Sequence, residues 1–312
     1  MKAIQIEGLQ KIYGSVQALN GLNLSVEAGT VFGFLGPNGA GKTTTIRLLT
    51  GLARPTAGRA WVAGVEITGN GAATGRSVAQ RIGHLPEEPV FYPWMTPREF
   101  LDYVGRLFRL KSNERIARTD ELLALVGLAE AGRRRIGGFS RGMRQRLGLA
   151  QALVNRPEVL FLDEPASALD PVGRKEVLEL IEHLRGQCTV FMSTHILADV
   201  ERVCDTVGII ARGRMVAQAG RAALLSQYAV PAFEIEAEEK LADWAEQVRS
   251  QAWVKSVVVD GQVARIIVSD MAAAKRELLP SALSAGLTVT RYELMKPSLE
   301  DIFLRLVGEE TK

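Results

Sequence analysis

Gly36-Pro37-Asn38-Gly39-Ala40-Gly41-Lys42-Thr43 fits the spacing G-x-x-x-x-G-K-[ST]. Those residue types suit a polyphosphate. Glycines let backbone N–H groups turn inward toward phosphate oxygens, and a helix that starts there aims its positive end at the same anion. Lys42 adds a mobile cation for the β- and γ-phosphates, and the Thr43 hydroxyl can ligate Mg²⁺. A second set of groups is Asp163-Glu164-Pro165, directly after the apolar run Val159-Leu160-Phe161-Leu162. Carboxylates at the carboxyl end of a buried parallel strand lie where α/β sheets bind ligands. Asp163 would hold Mg²⁺ through water, and Glu164 would orient or deprotonate an attacking water. By itself an Asp-Glu pair reads as a solvated strand end; beside a phosphate loop it reads as catalytic.

The elements around these residues support that reading. Val31–Leu35 is a short buried strand that stops at Gly36, and a helix follows from Lys42 to about Gly51. Val159–Leu162 and Thr189–Ser193 are two further buried strands. Strands alternating with helices point to a largely parallel sheet covered by helices. Residues 96–155 read as helical. Thr96-Pro97-Arg98-Glu99 is a capping box with proline at the first helical position, and Phe100, Leu101, Val104, Leu107 and Phe108 then share one face. A further helix runs from Glu114 to Val126 and stops at Gly127. Gly64–Gly75 is glycine-rich and reads as a surface turn.

The pattern changes after residue 221. Phe233–Ala237, Val257–Asp260, Val263–Val268 and Leu287–Leu294 read as strands, with Asp260-Gly261 as a hairpin turn. Leu241–Gln251 and Met271–Ala285 read as helices, the second expected to bend or divide at Pro280. A last helix is expected over Ser298–Val307, capped by Ser298. The order β-α-β-β-α-β matches the ferredoxin-like plan.

Composition narrows the function classes. Of 312 residues, 47% are hydrophobic and 23% charged, so the chain can bury a sizeable core and is not a disordered polymer. The formal charge of +3 is too mild to imply nucleic acid without clustering. No apolar stretch reaches the ~18 residues of a spanning helix, and MKAIQIEGLQ has no signal-peptide core. Cys188 and Cys204 belong to no C-x-x-C pair and read as buried small side chains. Arg133-Arg134-Arg135 reads as a solvated helix end more readily than as a lipid or nucleic-acid patch. His84 and His183 carry no motif.

Taken in order, these motifs make residues 2–220 resemble the ABC-type ATPases, the nucleotide-binding subunits of ABC transporters. Tyr13 in KIYG looks like the aromatic that stacks on adenine. Gly36, Pro37, Asn38, Gly39, Ala40, Gly41, Lys42, Thr43 and Thr44 look like the phosphate loop (Walker A), and residues 159–164 like Walker B. Ile82–Glu88 falls at the Q-loop. Ser140-Arg141-Gly142-Met143 looks like a variant of the signature LSGGQ, 23 residues before Asp163. Ser167-Ala168-Leu169-Asp170 resembles the D-loop and Ser193-Thr194-His195 the H-loop. The resemblance implies an α/β P-loop cassette at 1–220. It would have a RecA-like parallel sheet core, an antiparallel β part and a helical subdomain at about 90–155. A small α+β accessory domain of ferredoxin-like plan would occupy 221–312.

The resemblance also implies roles. Two copies, or one copy and a related ATPase, would clamp two ATP molecules head to tail. Lys42, Glu164 and His195 would act on ATP within one subunit, while Ser140 and Gly142 reach the partner's γ-phosphate and Asp170 of the D-loop also binds nucleotide. Thr43, Asp163 and Glu87 would hold Mg²⁺. Separately encoded transmembrane permease subunits would place the chain at the cytoplasmic face of a cell membrane, with no nucleic acid bound. Glu87 stands where most of the family has Gln, and Phe139, Arg141 and Met143 replace Leu, Gly and Gln of the signature. These departures, and Lys296–Phe303 near the carboxyl end, resemble ATPases of ABC-2 exporters of the daunorubicin-resistance and sodium-exporter type. Phe91-Tyr92-Pro93-Trp94-Met95 suits either a permease's cytoplasmic helix or internal packing. The competing reading is a soluble ABC ATPase acting on nucleic acid or ribosomes, disfavoured by a single cassette without heptads. An importer with an all-β tail and a GTPase are disfavoured by the tail pattern and by the lack of an Asn-Lys-x-Asp motif.

Overall fold

The computed structural model describes residues 1–68, 78–167, 169–228, 231–295, 299–300, 302–303 and 306. One compact unit is built on Met1–Arg221 and a second on Ala222–Arg305.

In the first unit two sheets share a core. β1 (Lys2–Tyr13) and β2 (Val16–Glu27) form a long antiparallel hairpin, extended by β4 (Ala57–Val62) and the short β5 (Val65–Glu66) in the order β2-β1-β4-β5. β5 lies inside the segment expected to be a plain turn: Val65 and Glu66 pair with Val62 and Trp61, while residues 69–75 of that segment lie outside the described residues. The second sheet contains β3 (Val31–Leu35), β6 (Ile82–Leu85), β7 (Val159–Asp163), β8 (Thr189–Thr194), β9 (Thr206–Ala211) and β10 (Arg214–Gly220). Its order is β10-β9-β3-β8-β7-β6. All neighbours pair in parallel except β10, which returns antiparallel on β9.

The central strands are apolar on both faces, as a sheet covered twice requires. Every residue of β3, β7 and β8 is buried. Phe191 of β8 touches three rings, Phe32, Phe34 and Phe161, with centroids 5.3, 5.2 and 5.7 Å away. Truncating such a side chain to alanine costs about 3–5 kcal/mol. The same core takes Leu9, Leu22 and Ile6 from the antiparallel sheet and Ile46 and Leu49 from α1 (Lys42–Leu49).

The helical part holds α2 (Pro97–Leu107), α3 (Ser112–Leu125) and α4 (Arg141–Ala152). The capping box is present: the Thr96 hydroxyl accepts from Glu99 N at 3.3 Å, and Glu99 Oε2 accepts from Thr96 N at 2.8 Å. Those bonds hold the Glu99 carboxyl below its usual range. Phe100, Leu101 and Val104 are buried as expected, but Leu107 is 64% exposed. Periodicity marks a helix face without saying how much of its length a neighbour covers. α5 (Pro171–His183) and α6 (Leu197–Val203) complete the helices of this unit, and α7 (Arg221–Tyr228) opens the second. The arginine run braces a local turn, with Arg134 donating to Gly138 O at 2.7 Å and Arg135 to Trp94 O at 3.3 Å.

The second unit is a four-stranded antiparallel sheet. It is made of β11 (Ala232–Ala237), β12 (Val254–Asp260), β13 (Val263–Val268) and β14 (Val289–Met295), in the order β12-β13-β11-β14. α8 (Ala242–Arg249) and α9 (Met271–Ser284) supply Trp244, Val248, Ala274 and Leu278 to its core. Gly261, at φ 60, closes the β12–β13 hairpin. α9 is one helix through Pro280. Proline removes one N–H, and the fully buried Leu278 and Ala282 on either side keep the helix in place. Of the last expected helix, Leu299, Glu300, Ile302, Phe303 and Leu306 are helical, while Ser298, Asp301, Leu304, Arg305 and Val307 lie outside the described residues.

Candidate functional site

Four adjacent strands, β3, β8, β7 and β6, point the same way, so their carboxyl ends release their following segments onto one edge. The phosphate loop follows β3, His195 follows β8, Asp163-Glu164 ends β7, and Glu87 follows β6. They meet at a pocket of about 410 Å³ lined by Pro37, Asn38, Gly39, Gly41, Lys42, Thr43, Thr44, Glu87, Glu164 and His195, together with Val16, Gln17 and Ala18.

The loop glycines have separate reasons. A Cβ on Gly36 would sit 2.5 Å from Ile210 O and 2.8 Å from Ile210 Cγ2. Gly41 has φ 108, and a Cβ there would sit 2.7 Å from Leu19 Cδ2. Ala40 is buried and its carbonyl accepts from Gly213 N at 3.0 Å. The loop is thus pinned from behind by β2 and the β9–β10 turn, and its front faces the pocket.

Lys42 and Glu164 are both 7% exposed. Lys42 Nζ donates to Gly36 O at 2.7 Å and Pro37 O at 3.4 Å, and lies 3.4 Å from Glu164 Oε1. The other carboxylate oxygen, Oε2, is 2.9 Å from His195 Nδ1. Glu164 sits at φ 48, a left-handed conformation that a non-glycine residue holds only when its surroundings over-determine it. Here Glu164 N donates to Ser193 O at 3.1 Å and Ser193 Oγ at 3.2 Å, and Glu164 O accepts from Ser167 Oγ at 2.9 Å. Asp163 Oδ1 accepts from Ser193 Oγ at 2.5 Å and from Thr43 Oγ1 at 3.3 Å.

Tyr13, Ser140, Gly142 and Asp170 do not line this pocket. Tyr13 is 44% exposed, with Lys11 Nζ 4.5 Å from its ring centroid. Ser140 caps α4, its Oγ accepting from Met143 N at 3.2 Å, and Asp170 caps α5, accepting from Gly173 N at 3.3 Å. Ala168 of the D-loop stretch lies outside the described residues. Among the described residues, a Cβ on Gly142 would meet only Leu169 Cδ2, at 3.9 Å. Arg141 lies 3.9 Å from Glu88, and both are exposed. Val16, Gln17 and Ala18 are pocket residues that motif reading missed; the one signal for them was their place just after Tyr13.

His84 is held below its usual pKa, chiefly by burial. Burial pushes Cys188 up to about 11 and Cys204 up to about 12, the latter helped by Asp205. Both are inert packing residues.

A parallel sheet that gathers a glycine-rich phosphate loop, a strand-end carboxylate pair and a histidine on one edge defines a P-loop nucleotide-hydrolysing cassette. Comparisons with known proteins narrow the class. Residues 19–167 match the ABC transporter family and residues 222–307 the C-terminal domain of DrrA1-3-like ATP-binding proteins. The chain is 40% identical over 304 residues to the ABC transporter ATP-binding protein YxlF of Bacillus subtilis (strain 168), covering 97% of this chain and 99% of that one. It is 35% identical over 311 residues to the daunorubicin resistance ATP-binding protein DrrA3 of Streptomyces coeruleorubidus, covering 99% and 97%. The cbiO1 structure from Clostridium perfringens, part of the ABC transporter complex cbiONQ, superposes with TM-score 0.67 at 26% identity, over 72% of this chain and 91% of that one. The chain belongs to the ATP-binding subunits of ABC transporters. It is an ATPase that carries a DrrA-like C-terminal domain.

Proposed function

We propose that this chain powers an ABC-2 type exporter by hydrolysing ATP between two head-to-tail cassettes. The observation that carries the reading is the chain of contacts from buried Lys42 through buried Glu164 to the exposed His195 beside the phosphate loop. Loop amides and Lys42 bind the phosphates, and the exposed Tyr13 ring stacks on adenine. The Glu164 carboxylate takes a proton from the attacking water. His195, bonded to Glu164 Oε2, keeps the carboxylate aimed and contacts the γ-phosphate. These groups supply positioning and electrostatic stabilisation, which is most of what phosphoryl transfer needs.

The oxygen donors fit Mg²⁺. Among the described residues no three His, Cys, Asp or Glu side chains cluster to hold a metal, and Mg²⁺ with nucleotide needs only one or two protein oxygens besides phosphate and water. Thr43 Oγ1 and Asp163 Oδ1, 3.3 Å apart, would supply them, and Glu87 lines the same pocket as Thr43. The metal would neutralise charge on the β- and γ-phosphates.

Gly142 supports the second copy. Among the described residues nothing requires a glycine there, and neither Ser140 nor Gly142 lines the chain's own phosphate pocket, so a ligand held by a partner copy explains both. Asp170 belongs to that seam, in a homodimer or with a related ATPase. The described helices include none long and apolar enough to cross a membrane, so transport rests on separate permease subunits that hold the chain at the cytoplasmic face. A groove of about 440 Å³ beside Tyr92, Tyr103 and Leu107 suits a permease's cytoplasmic segment. Phe91 closes its floor on Phe100, with centroids 5.1 Å apart, while Trp94 stays 63% exposed. Tagged chain isolated from gently solubilised membranes should bring down a multi-span protein. Recovery of ribosomes or DNA instead would favour the permease-free alternative.

A further inference from the structure

His195 stands on the short link between β8 and α6, so its aim at Glu164 depends on how α6 begins. α6 has 7 residues, too few to hold a helix unaided, and its N-cap, Ile196, has no side-chain acceptor. The two ends of α6 are anchored differently. Toward the far end Val200 and Val203 are fully buried, and Arg185 donates to Val203 O at 2.8 Å. At the end beside His195 the anchor is Asp199. Arg174, in the opening turn of α5, brings both Nε and Nη2 to Asp199 Oδ1 at 2.7 Å. We propose that Arg174 and Asp199 are positioning residues for ATP hydrolysis: their ion pair ties the start of α6 to α5 and so holds the His195 ring against Glu164. This deepens the reading above and rests on the roles given there to Glu164 and His195.

An acid in the first turn of a helix usually needs no partner, because it complements the helix dipole from the surface. Asp199 differs. It is 2% exposed, burial pushes its carboxyl above the usual range, and Glu164 adds to that rise. Arg174 is what keeps the charge in place, and a buried carboxylate left without its cation is strongly unfavourable. A second pair joins the same helices: Arg202 of α6 donates to Glu179 of α5 at 3.2 Å. Both of those side chains reach water, and pairs of that kind contribute little. The buried pair therefore sets where α6 starts. From there the connection to the histidine is short. Asp199 N donates to Ile196 O at 3.2 Å, and Ile196 N donates to Thr194 Oγ1 at 3.0 Å. His195 lies between those two residues, so it follows the anchored turn. Loss of the pair releases this turn while the rest of α6 stays packed, which moves the imidazole without unfolding the chain.

Steady-state ATP hydrolysis by the full chain separates the possibilities, with wild type, Arg174→Met, Asp199→Asn and Glu179→Gln each checked by a melting curve. Asp199→Asn is nearly isosteric and keeps the result readable if Arg174→Met does not fold. Lost aim at one reacting group should lower kcat about 10-fold in these two variants. KM should stay within about twofold, because the phosphate loop is pinned by other elements. Glu179→Gln, which breaks only the exposed pair, should hydrolyse like wild type. The chain has three histidines, so their ring signals can be resolved by NMR of histidine-labelled protein and that of His195 assigned with His195→Gln. The His195 signal should move in Arg174→Met and Asp199→Asn while that of His84 stays. A pair that served only the fold would lower the melting temperature without moving the His195 ring or splitting kcat from KM. Turnover within about twofold of wild type in either folded variant, or an unmoved His195 signal, would overturn the positioning role while the ATPase reading stands. A His195→Gln chain that hydrolyses ATP at the wild-type rate would instead overturn the role given to His195 itself.

Discussion

Replacing Gly142 by alanine separates what the chain needs from what a partner needs. The added methyl finds room, since its nearest neighbour is Leu169 Cδ2 at 3.9 Å, and the residue's φ is not left-handed. Gly142 lies in the first turn of α4, where alanine is the better helix former by roughly 0.5–1 kcal/mol. For a unit of this size that corresponds to a rise in melting temperature of about 1–4 °C. Turnover should move the opposite way. If the γ-phosphate of a second copy approaches the Gly142 amide, a methyl there displaces it by about an ångström, and a misplacement of that size costs up to ~10²-fold in rate. Differential scanning fluorimetry and steady-state phosphate release read the two effects on one sample. Undiminished turnover in a stable Gly142→Ala chain would refute the shared-site reasoning. A large loss of stability would instead show that the glycine serves the fold.

Glu164→Gln should slow ATP hydrolysis by about 10²–10⁴-fold while nucleotide binding persists; wild-type rates in single-turnover assays would remove Glu164 from the chemistry. The same variant should gather into an ATP-dependent dimer by sedimentation, and a monomer at saturating ATP counts against the sandwich. Lys42→Ala should abolish turnover, because the lysine alone among pocket-lining residues carries a fixed positive charge toward the phosphates; activity within a few-fold of wild type contradicts that role. Deleting residues 221–312 should preserve ADP binding, since the apolar cluster built from Ala3 to Met215 is complete without them; a folded truncation without affinity would move the boundary. Cys188 and Cys204, with thiols raised to about 11 and about 12 by burial, should resist iodoacetamide at pH 8 in the native chain and react after denaturation; rapid native labelling would contradict their burial.

Local chemistry explains why so much of the site was legible beforehand. The phosphate loop, the Thr96–Glu99 capping box and the Asp260-Gly261 turn depend on atoms a few residues apart, so residue type and spacing nearly suffice to specify them. The buried strands β3, β7 and β8 were equally readable, because only segments covered on both faces stay apolar without alternation. Motif order then carried the family.

What spacing could not decide is whatever depends on which surfaces come together. Leu107 shares a stripe with Val104, yet its exposure depends on where neighbouring elements end. The hairpin of β1 and β2 was largely missed. Repeated register shifts along it break the strict alternation that marks a strand, and with it went the pocket walls Val16, Gln17 and Ala18. Above all, Lys42, Glu164 and His195 are far apart along the chain, and each was assigned its task singly. Only the order β3-β8-β7 places them side by side, with Lys42 and Glu164 buried and His195 at the exposed rim. The amino-acid sequence by itself determined that a polyphosphate would be held and hydrolysed. The tertiary structure decided that Glu164 stands 3.4 Å from Lys42 and 2.9 Å from His195, because attraction between charges depends on distance and dielectric, and neither is set until the sheet has formed.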